Sequence, residues 1–143
     1  GRSIISGRVY CKKKAKQTMG LDMSLMQRIR GEENIEDTDV ELVYWRKANA
    51  IHSFFVGDTD YESCDIIEVS REMLGELLDK CSEVLENRDK AADVLPSSIG
   101  FFFGSSVYDE YYFRKLQDTI DSITPILSDG DIKDGELYYY GWY

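Results

Sequence analysis

The chain has 143 residues, of which 43% are apolar and 31% are charged, a composition typical of one globular domain rather than of a disordered or collagen-like chain. Residues 1–18 hold six Lys or Arg and no acid, which leaves 11 basic against 27 acidic residues, a net charge of −16, in the remainder. A body this acidic repels phosphate, which argues against nucleic-acid binding by any part except the amino-terminal arm. No apolar run approaches the roughly 20 residues of a membrane span.

The acidic composition leaves two interpretations open: it confers solubility, or it mimics a nucleic acid toward a basic partner. The ten tyrosines suit either a contact surface or a wet edge of the core. Cys11, Cys64 and Cys81 are an odd number without a CxxC pair. They predict neither a disulfide framework nor a zinc knuckle, and a reduced cytoplasm fits them best.

The first part of the chain is predicted to contain strands and one helix. Residues 8–16 begin with a strand-like alternation and end in a cationic patch, and residues 20–30 alternate as a half-buried strand. Residues 31–39 read as an acidic loop. From about Val40 to Val56 the apolar period becomes helical, which predicts a helix. Its apolar arc contains Tyr44, Trp45, Ala48, Ile51, His52, Phe55 and Val56.

A second helix is predicted after a short strand at residues 64–69. Ser70 is a suitable N-cap for this helix, and Asn87 with Arg88 should end it. Apolar residues repeat along it at three and four positions, which predicts a face directed at the core. That face contains Met73, Leu74, Leu77, Leu78, Cys81, Val84 and Leu85.

The third predicted helix runs from about Asp109 to Ile123, because Pro125 would end or kink it. The Phe101–Phe103 run before it predicts a buried strand or an aromatic-lined turn, and residues 137–143 predict an aromatic strand. Strands at both termini with helices between them predict an α+β fold. We expect a single domain with about three helices packed on a small, mainly antiparallel sheet.

His52 is the only histidine, so any histidine-based catalytic or metal site is limited to this residue. Within the predicted helix it projects between Ala48 and Phe55, inside the apolar arc. That position favours a hydrogen-bonded core histidine over a catalyst. Asn49 lies near the edge of the arc and could orient the ring or share a ligand.

Arg46 and Lys47 are adjacent cations in the acidic body. They could receive a phosphate or carboxylate, Arg46 through its planar fork and Lys47 as a point charge. The alternative is ordinary pairing with nearby acids. Trp45 could stack with a base or a guanidinium group.

Residues 104–112 combine hydroxyls and carboxylates at the start of the third predicted helix. Ser105 or Ser106 can cap that helix, and Asp109 with Glu110 would lie favourably against its positive end. A Gly-Ser turn before a helix can also hold an anion, although neither a Walker pattern nor GxGxxG occurs. No further ligands are spaced to complete a metal site, so we expect no metal and no cofactor.

Several sequence blocks together resemble a family of small, mostly uncharacterised proteins encoded by bacteriophages and prophages. The blocks are MGLDM at 19–23, YWRKANAIH at 44–52, VSRE at 69–72, GFFFGS with YDEYY at 100–112, and YYYGWY at 138–143. The chain departs from the family at Ser24, where an aromatic residue is common, and near Phe54, where tryptophan is expected. The turn at residues 96–100 also differs.

The resemblance implies that residues 1–18 are a basic leader, either a tag or an upstream-translated segment. It also implies that residues 19–143 form the single α+β domain. It also implies a phage origin and a location in the host cytoplasm, but it supplies no reaction. By analogy, short acidic phage proteins often bind host proteins, including components of anti-phage defence.

Three hypotheses for function follow. The first is a non-enzymatic protein that binds a host macromolecule, in host takeover or anti-defence. The second is a small-molecule binder with a nucleotide-like ligand. The third is a hydrolase using His52 with Asp109 or Glu110. The residues expected at a binding site or interface are Trp45, Arg46, Lys47, Asn49, His52, Phe103, Ser105, Tyr108, Asp109 and Tyr112.

Overall fold

The computed structural model describes residues 2–6, 20–29, 39–97 and 108–143. Three predicted features lie outside these residues: the strand-like alternation and cationic patch near residue 10, most of the acidic loop, and the Phe101–Phe103 run. In the part of the chain that is described, no helix combines the length and apolar character needed to cross a membrane.

Within these described ranges, five antiparallel strands form one sheet in the order β1-β4-β5-β2-β3. Both ends of the described chain contribute, because β5 lies at the centre and β1 at one edge. The predicted strands in residues 64–69 and 137–143 are confirmed as β4 and β5. The strands are β1 (Ile4–Ser6), β2 (Asp22–Gln27), β3 (Val40–Arg46), β4 (Asp65–Val69) and β5 (Leu137–Trp142).

Four α-helices accompany the sheet within the described residues, so the predicted α+β class is confirmed. The two long helices pack on each other, and the main hydrophobic core joins them to one face of the sheet. A smaller cluster, which includes Met26, Tyr138 and Tyr140, lies on the other face. The helices are α1 (Asn49–Val56), α2 (Arg71–Glu86), α3 (Ala91–Val94) and α4 (Glu110–Ser128), with a 3₁₀ turn at Arg88–Lys90 before α3.

The predicted helix from Val40 to Val56 is wrong in its first half, which is strand β3. Val43 and Trp45 are buried while Tyr44 between them is 49% exposed, the two-residue period of a strand. A short apolar segment can satisfy both periods, and pairing with β2 decides between them. Only α1 is helical.

Strand β2 is confirmed but is buried on both faces rather than on one. It lies between β5 and β3. Met23 and Leu25 join the main core, and Met26 joins the cluster on the opposite face. A central strand buried on both faces loses the clean apolar–polar alternation that the sequence prediction assumed.

Helix α2 forms as predicted. The Ser70 hydroxyl accepts a hydrogen bond from the backbone N–H of Met73, 3.0 Å away, and Asn87 follows the last helical residue. The predicted apolar face is the buried one: Leu74, Leu77, Cys81 and Val84 are inaccessible to solvent, and the remaining members are partly buried against the core.

Helix α4 continues through Pro125 to Ser128, so the predicted end near Ile123 is wrong. Proline removes one N–H from the helical ladder. The last turn is held from outside the helix, because the Arg71 guanidinium donates to the carbonyl oxygens of Ile126 and Leu127. These bonds satisfy carbonyls that the end of any helix leaves without intrahelical donors.

Cys64 is disulfide-bonded, whereas Cys81 is a free, buried thiol. The sequence prediction of no disulfide framework therefore misses a bond. The spacing of three cysteines does not determine pairing, because pairing depends on which cysteines the fold brings together.

Candidate functional site

His52 lies in the core, as its position in the apolar arc predicts, and is inaccessible to solvent. Its Nδ1 is 2.5 Å from the hydroxyl of Tyr139, and the rings of Tyr61 and Tyr143 meet it edge-on. Burial lowers the pKa of His52 to about 3. The imidazole is therefore neutral at physiological pH, enclosed by aromatic rings.

Trp45 is also a core residue. It is 3% exposed, and its indole Nε1 donates to the Thr119 hydroxyl across 2.9 Å. Its ring packs against Phe55 and Tyr139, with centroids 5.9 and 6.4 Å away. These contacts leave its ring no free face for a base or guanidinium, so the predicted stacking role is not supported.

Arg46 and Lys47 differ, although they are adjacent. Arg46 forms an ion pair with Asp22 at 3.0 Å, and Tyr44 donates its hydroxyl to the same carboxylate. Lys47 has no ion pair with any described residue. Pairing with nearby acids therefore accounts for Arg46 and leaves Lys47 to be explained.

The backbone at Lys47 changes direction sharply between β3 and α1. Its φ of 56° is in the left-handed region, unusual for a non-glycine residue. Its N–H donates to the carbonyl of Leu21 at 2.7 Å, which fixes the corner to the start of β2. A Cβ on Gly20 would lie 2.9 Å from Cε of Lys47, a contact that the flexible lysine side chain would relieve by shifting.

Beside this corner, a cleft of about 350 Å³, part of it open solvent, separates the start of α1 from the first turns of α4. We call it the α1–α4 cleft. Four of the predicted site residues line it: Lys47, Asn49, Asp109 and Tyr112. Its apolar wall includes Ala48, Ile51 and Leu116, and Lys115 and Tyr111 complete the opposite side.

Two lysines give the α1–α4 cleft its charge. Neither Lys47 nor Lys115 has a carboxylate partner among the described residues. The Lys115 ammonium lies 4.9 Å from the Tyr111 ring centroid, and the Tyr111 hydroxyl donates to the carbonyl of Arg46. The cation is thereby placed over a ring that is itself held at the corner.

The N-terminus of α1 adds partial positive charge to the same cleft. Ala48 occupies the N-cap and provides no side-chain cap, and the first turn contains no acidic residue. The first N–H groups of a helix lack intrahelical acceptors and attract negative charge. The cleft thus combines two ammonium groups with a helix N-terminus in a strongly acidic protein.

The carboxylates near this cleft have structural partners. Asp109 is the N-cap of α4 and accepts a hydrogen bond from the Tyr112 N–H at 3.0 Å, so the predicted cap at Ser105 or Ser106 is wrong. Glu110 pairs with Arg88 at 2.6 Å and is well exposed. With His52 enclosed among tyrosines, a hydrolytic arrangement of these groups finds no support. No group of three potential ligands suited to a metal ion occurs in the described ranges.

Tyr112 lines the cleft, whereas Tyr108 does not line it and packs beside Tyr112. The Tyr112 hydroxyl donates to the carbonyl of Leu95 at 2.7 Å, and burial raises the pKa of Tyr112. Tyr108 packs edge-on against Tyr112 and accepts a hydrogen bond from the N–H of Ser97. Both tyrosines therefore connect the start of α4 to the segment that follows α3. The two other predicted residues, Phe103 and Ser105, lie outside the described residues.

Sequence reasoning placed four residues in the α1–α4 cleft but missed Lys115 and Tyr111. These two lie four positions apart on α4, a spacing that puts side chains on one helix face. That signal was available from the sequence, but its alignment with α1 was not, since it depends on how the helices pack.

Comparisons with protein-family models, with curated proteins and with solved structures found no match.

Proposed function

We propose that this protein is a non-enzymatic binding protein whose α1–α4 cleft holds a small, nucleotide-like ligand through an anionic group. The observation that carries the proposal is the pair Lys47 and Lys115, two cations without carboxylate partners among the described residues, on opposite sides of one cleft. In a chain with a net charge of −10, carboxylates are abundant enough to have paired with them.

The cleft suits a ligand that is charged at one end and apolar at the other. Its lining combines an apolar wall with a few polar groups, as small-molecule sites do. A phosphate would lie between the ammonium groups and the first turn of α1, where backbone N–H groups also favour anions. An aromatic or aliphatic moiety would contact Ile51, Leu116 and the ring of Tyr112.

Thermal unfolding in the presence of defined ligands tests this proposal. We expect ATP and ADP to raise the Tm at low ionic strength, by several degrees at about 100 times the Kd, and adenosine to have little effect. Lys47→Ala and Lys115→Ala should each remove most of the shift. Lys133→Ala is the matched control, because Lys133 does not line the cleft, and it should keep the full shift.

An equal shift in the Lys47→Ala, Lys115→Ala and Lys133→Ala proteins would show that anions bind elsewhere. No shift with any nucleotide, inorganic phosphate or pyrophosphate in the wild-type protein would contradict the proposal directly.

A second candidate function is binding of a basic host macromolecule, and one surface favours it. Helix α2 exposes five carboxylates along one face, and among the described residues only Glu83 of these forms an ion pair, with Lys90 at 3.5 Å. Their spacing of four, three, four and three positions aligns them over roughly 21 Å of helix. We call this surface the α2 acidic stripe: Glu72, Glu76, Asp79, Glu83 and Glu86.

The α2 acidic stripe is the part of the protein most suited to contact a basic partner. This second proposal includes a phage origin and a role in host takeover or anti-defence. Both are supported by the sequence blocks that resemble a phage protein family. A host lysate passed over the immobilised wild-type protein at low salt should retain a specific protein that a Glu72→Gln/Glu76→Gln/Asp79→Asn/Glu86→Gln variant does not retain.

The matched control neutralises four exposed acids away from the stripe: Asp58→Asn/Asp60→Asn/Asp118→Asn/Asp131→Asn. Retention by the wild-type and control proteins but not by the stripe variant supports the second proposal. Equal retention by all three, or by none, contradicts it.

We also propose the host cytoplasm as the location, and the disulfide at Cys64 provides the test. Cytoplasmic thiols are normally kept reduced. Rapid alkylation under denaturing conditions, which expose the buried Cys64, should therefore label it if the protein resides in the host cytoplasm, and an unlabelled Cys64 would place the protein in an oxidising compartment.

A further inference from the structure

Strand β4, which β1 covers at the edge of the sheet, and the C-terminal end of α1 together form a groove that holds an extended segment. Residues 2–6 of the chain occupy it, with Ile4 opposite Ile67 and Ile5 opposite Ile66 in antiparallel register. The N-terminal strand is only three residues long. The bonded edge of β4 is thus a template on which a short peptide adds as one more strand.

The second contact is an arginine bound to the end of a helix. The Arg2 guanidinium donates from Nη2 to the Phe54 carbonyl at 3.0 Å and from Nε to the Phe55 carbonyl at 3.1 Å. It also lies 5.2 Å from the centroid of the Phe54 ring. Helix C-termini carry partial negative charge, and the last turn of α1 contains no basic residue of its own. The groove therefore has a subsite for a planar cation.

Gly57 leaves room for the arginine stem. Its φ of 54° is in the left-handed region, and a Cβ placed on it would lie 3.3 Å from Cγ of Arg2. A side chain here would both strain the backbone and crowd the arginine. The subsite is thus built by α1 and its C-cap, which belong to the body of the domain.

An apolar subsite completes the groove. Ile5 packs against the cluster formed by Met26, Ile66, Tyr138 and Tyr140. Ile4, in contrast, is 39% exposed. Recognition thus requires an arginine and, three residues later, an apolar side chain. The segment between them contributes a backbone hydrogen bond, because the Glu68 N–H donates to the carbonyl of Ser3 at 3.0 Å.

We propose that this groove is a peptide-binding site for an extended, arginine-containing segment of a partner protein, which the chain's own residues 2–6 fill in the free protein. The occupant has the pattern Arg-x-x-apolar and adds to β4 as an antiparallel strand. The net charge of −16 beyond residue 18 favours approach of a basic segment. This site is separate from the α1–α4 cleft and does not depend on the function proposed for that cleft.

Fluorescence anisotropy with labelled hexapeptides tests the proposal in the full chain. The protein carries Arg2→Ala and Ile5→Asp, which weaken its own strand and free the groove. The probe is the peptide GRSIIS, the sequence of residues 1–6. We expect it to bind this variant more tightly than the wild-type protein, whose tethered strand competes at high effective concentration.

The specificity controls lie in the peptide, so they do not affect folding of the protein. GASIIS, which lacks the arginine, should bind roughly tenfold more weakly because two hydrogen bonds to a charged donor are lost. GRSIDS should also bind more weakly. Equal binding of all three peptides, or no binding to the folded variant, would overturn the proposal. If the double variant does not fold, the Arg2→Ala protein with the same peptides decides the matter by the same criteria.

Discussion

His52 and Lys47, five positions apart in the chain, occupy opposite environments. His52 is inaccessible to solvent, and burial lowers its pKa to about 3, so it is an uncharged member of an aromatic cluster. Lys47 is partly exposed at the edge of a cleft and has no ion pair with a described residue. The histidine is the more conspicuous residue in the sequence, yet the lysine is in the better position to meet a ligand. Accessibility, rather than residue type, separates the two.

The largest expected effect comes from removing an aromatic core residue of α1, the helix that contains His52. Phe55 is fully buried and stacks on Tyr139 with centroids 4.3 Å apart. Phe55→Ala should lower the free energy of unfolding by about 3–5 kcal/mol, because it leaves a cavity in a packed core. Denaturant unfolding measures this, with Ile29→Ala as the control, since Ile29 is 57% exposed. A loss below about 1 kcal/mol would mean that this side of α1 is not tightly packed.

The next effect is a pH dependence that originates at His52. In the unfolded chain histidine takes up a proton below about pH 6.5, whereas in the folded protein it stays neutral until about pH 3. The unfolded state therefore binds more protons in this window, and stability falls as the pH is lowered, by up to about 5 kcal/mol in total. Above pH 6.5 this residue contributes no pH dependence.

Two variants isolate this contribution from that of the carboxylates. Tyr139→Phe removes the hydroxyl that contacts His52, and His52→Phe/Tyr139→Phe then removes the imidazole in the same background. The free energy of unfolding should be measured for both variants at pH 7, 6, 5 and 4. It should fall less steeply with decreasing pH in the double variant than in Tyr139→Phe, with a difference in slope that corresponds to the uptake of up to one proton on unfolding. Parallel curves would indicate that His52 titrates normally and is not enclosed.

A smaller effect is expected at the opposite side of the cleft. Asp109→Ala removes the N-cap of α4 and should cost about 1 kcal/mol of stability. Asp118→Ala, an exposed position within α4, is the control and should change stability by less than about 0.5 kcal/mol. Equal losses of stability in both variants would show that the N-cap hydrogen bond is not the cause of the destabilisation.

The smallest effect distinguishes Arg46 from its neighbour. Arg46→Ala breaks the ion pair between Arg46 and Asp22. This pair is partly exposed, since the Arg46 side chain is 42% exposed. It should cost no more than about 1 kcal/mol. Arg46 does not line the cleft, so the Tm shift with ATP should persist in Arg46→Ala and disappear in Lys47→Ala. Loss of the shift in both would extend the site toward β3.

Local signals predicted the elements that are long or strongly marked. Helix α2 has a serine cap and seven apolar positions on one face, and both are visible without knowledge of the fold. The aromatic terminal strand was equally clear. The segment from Val40 to Val56 was not, since a strand and a helix meet within it at Lys47 and the apolar residues of both fit one helical projection.

The candidate site was predicted only in part. Lys47, Asn49, Asp109 and Tyr112 were expected at one site and do line the same cleft. That expectation came from two segments, residues 44–52 and 104–112, that carry most of the candidate binding residues. Trp45 and His52 belong instead to the core. The contribution of Lys115 could not be predicted, because a helix repeat shows which residues share a face but not which neighbour that face meets.

By itself, the sequence determined the α+β class, the acidic character of the body and the core face of α2, because these depend on composition and on spacing within a few turns. Tertiary structure decided that β2 is buried on both faces, that α4 continues past Pro125 and that two lysines from separate elements flank one cleft. Each of these depends on contacts between distant segments. Such contacts override local preferences, since the free energy of packing and strand pairing exceeds that of local propensity.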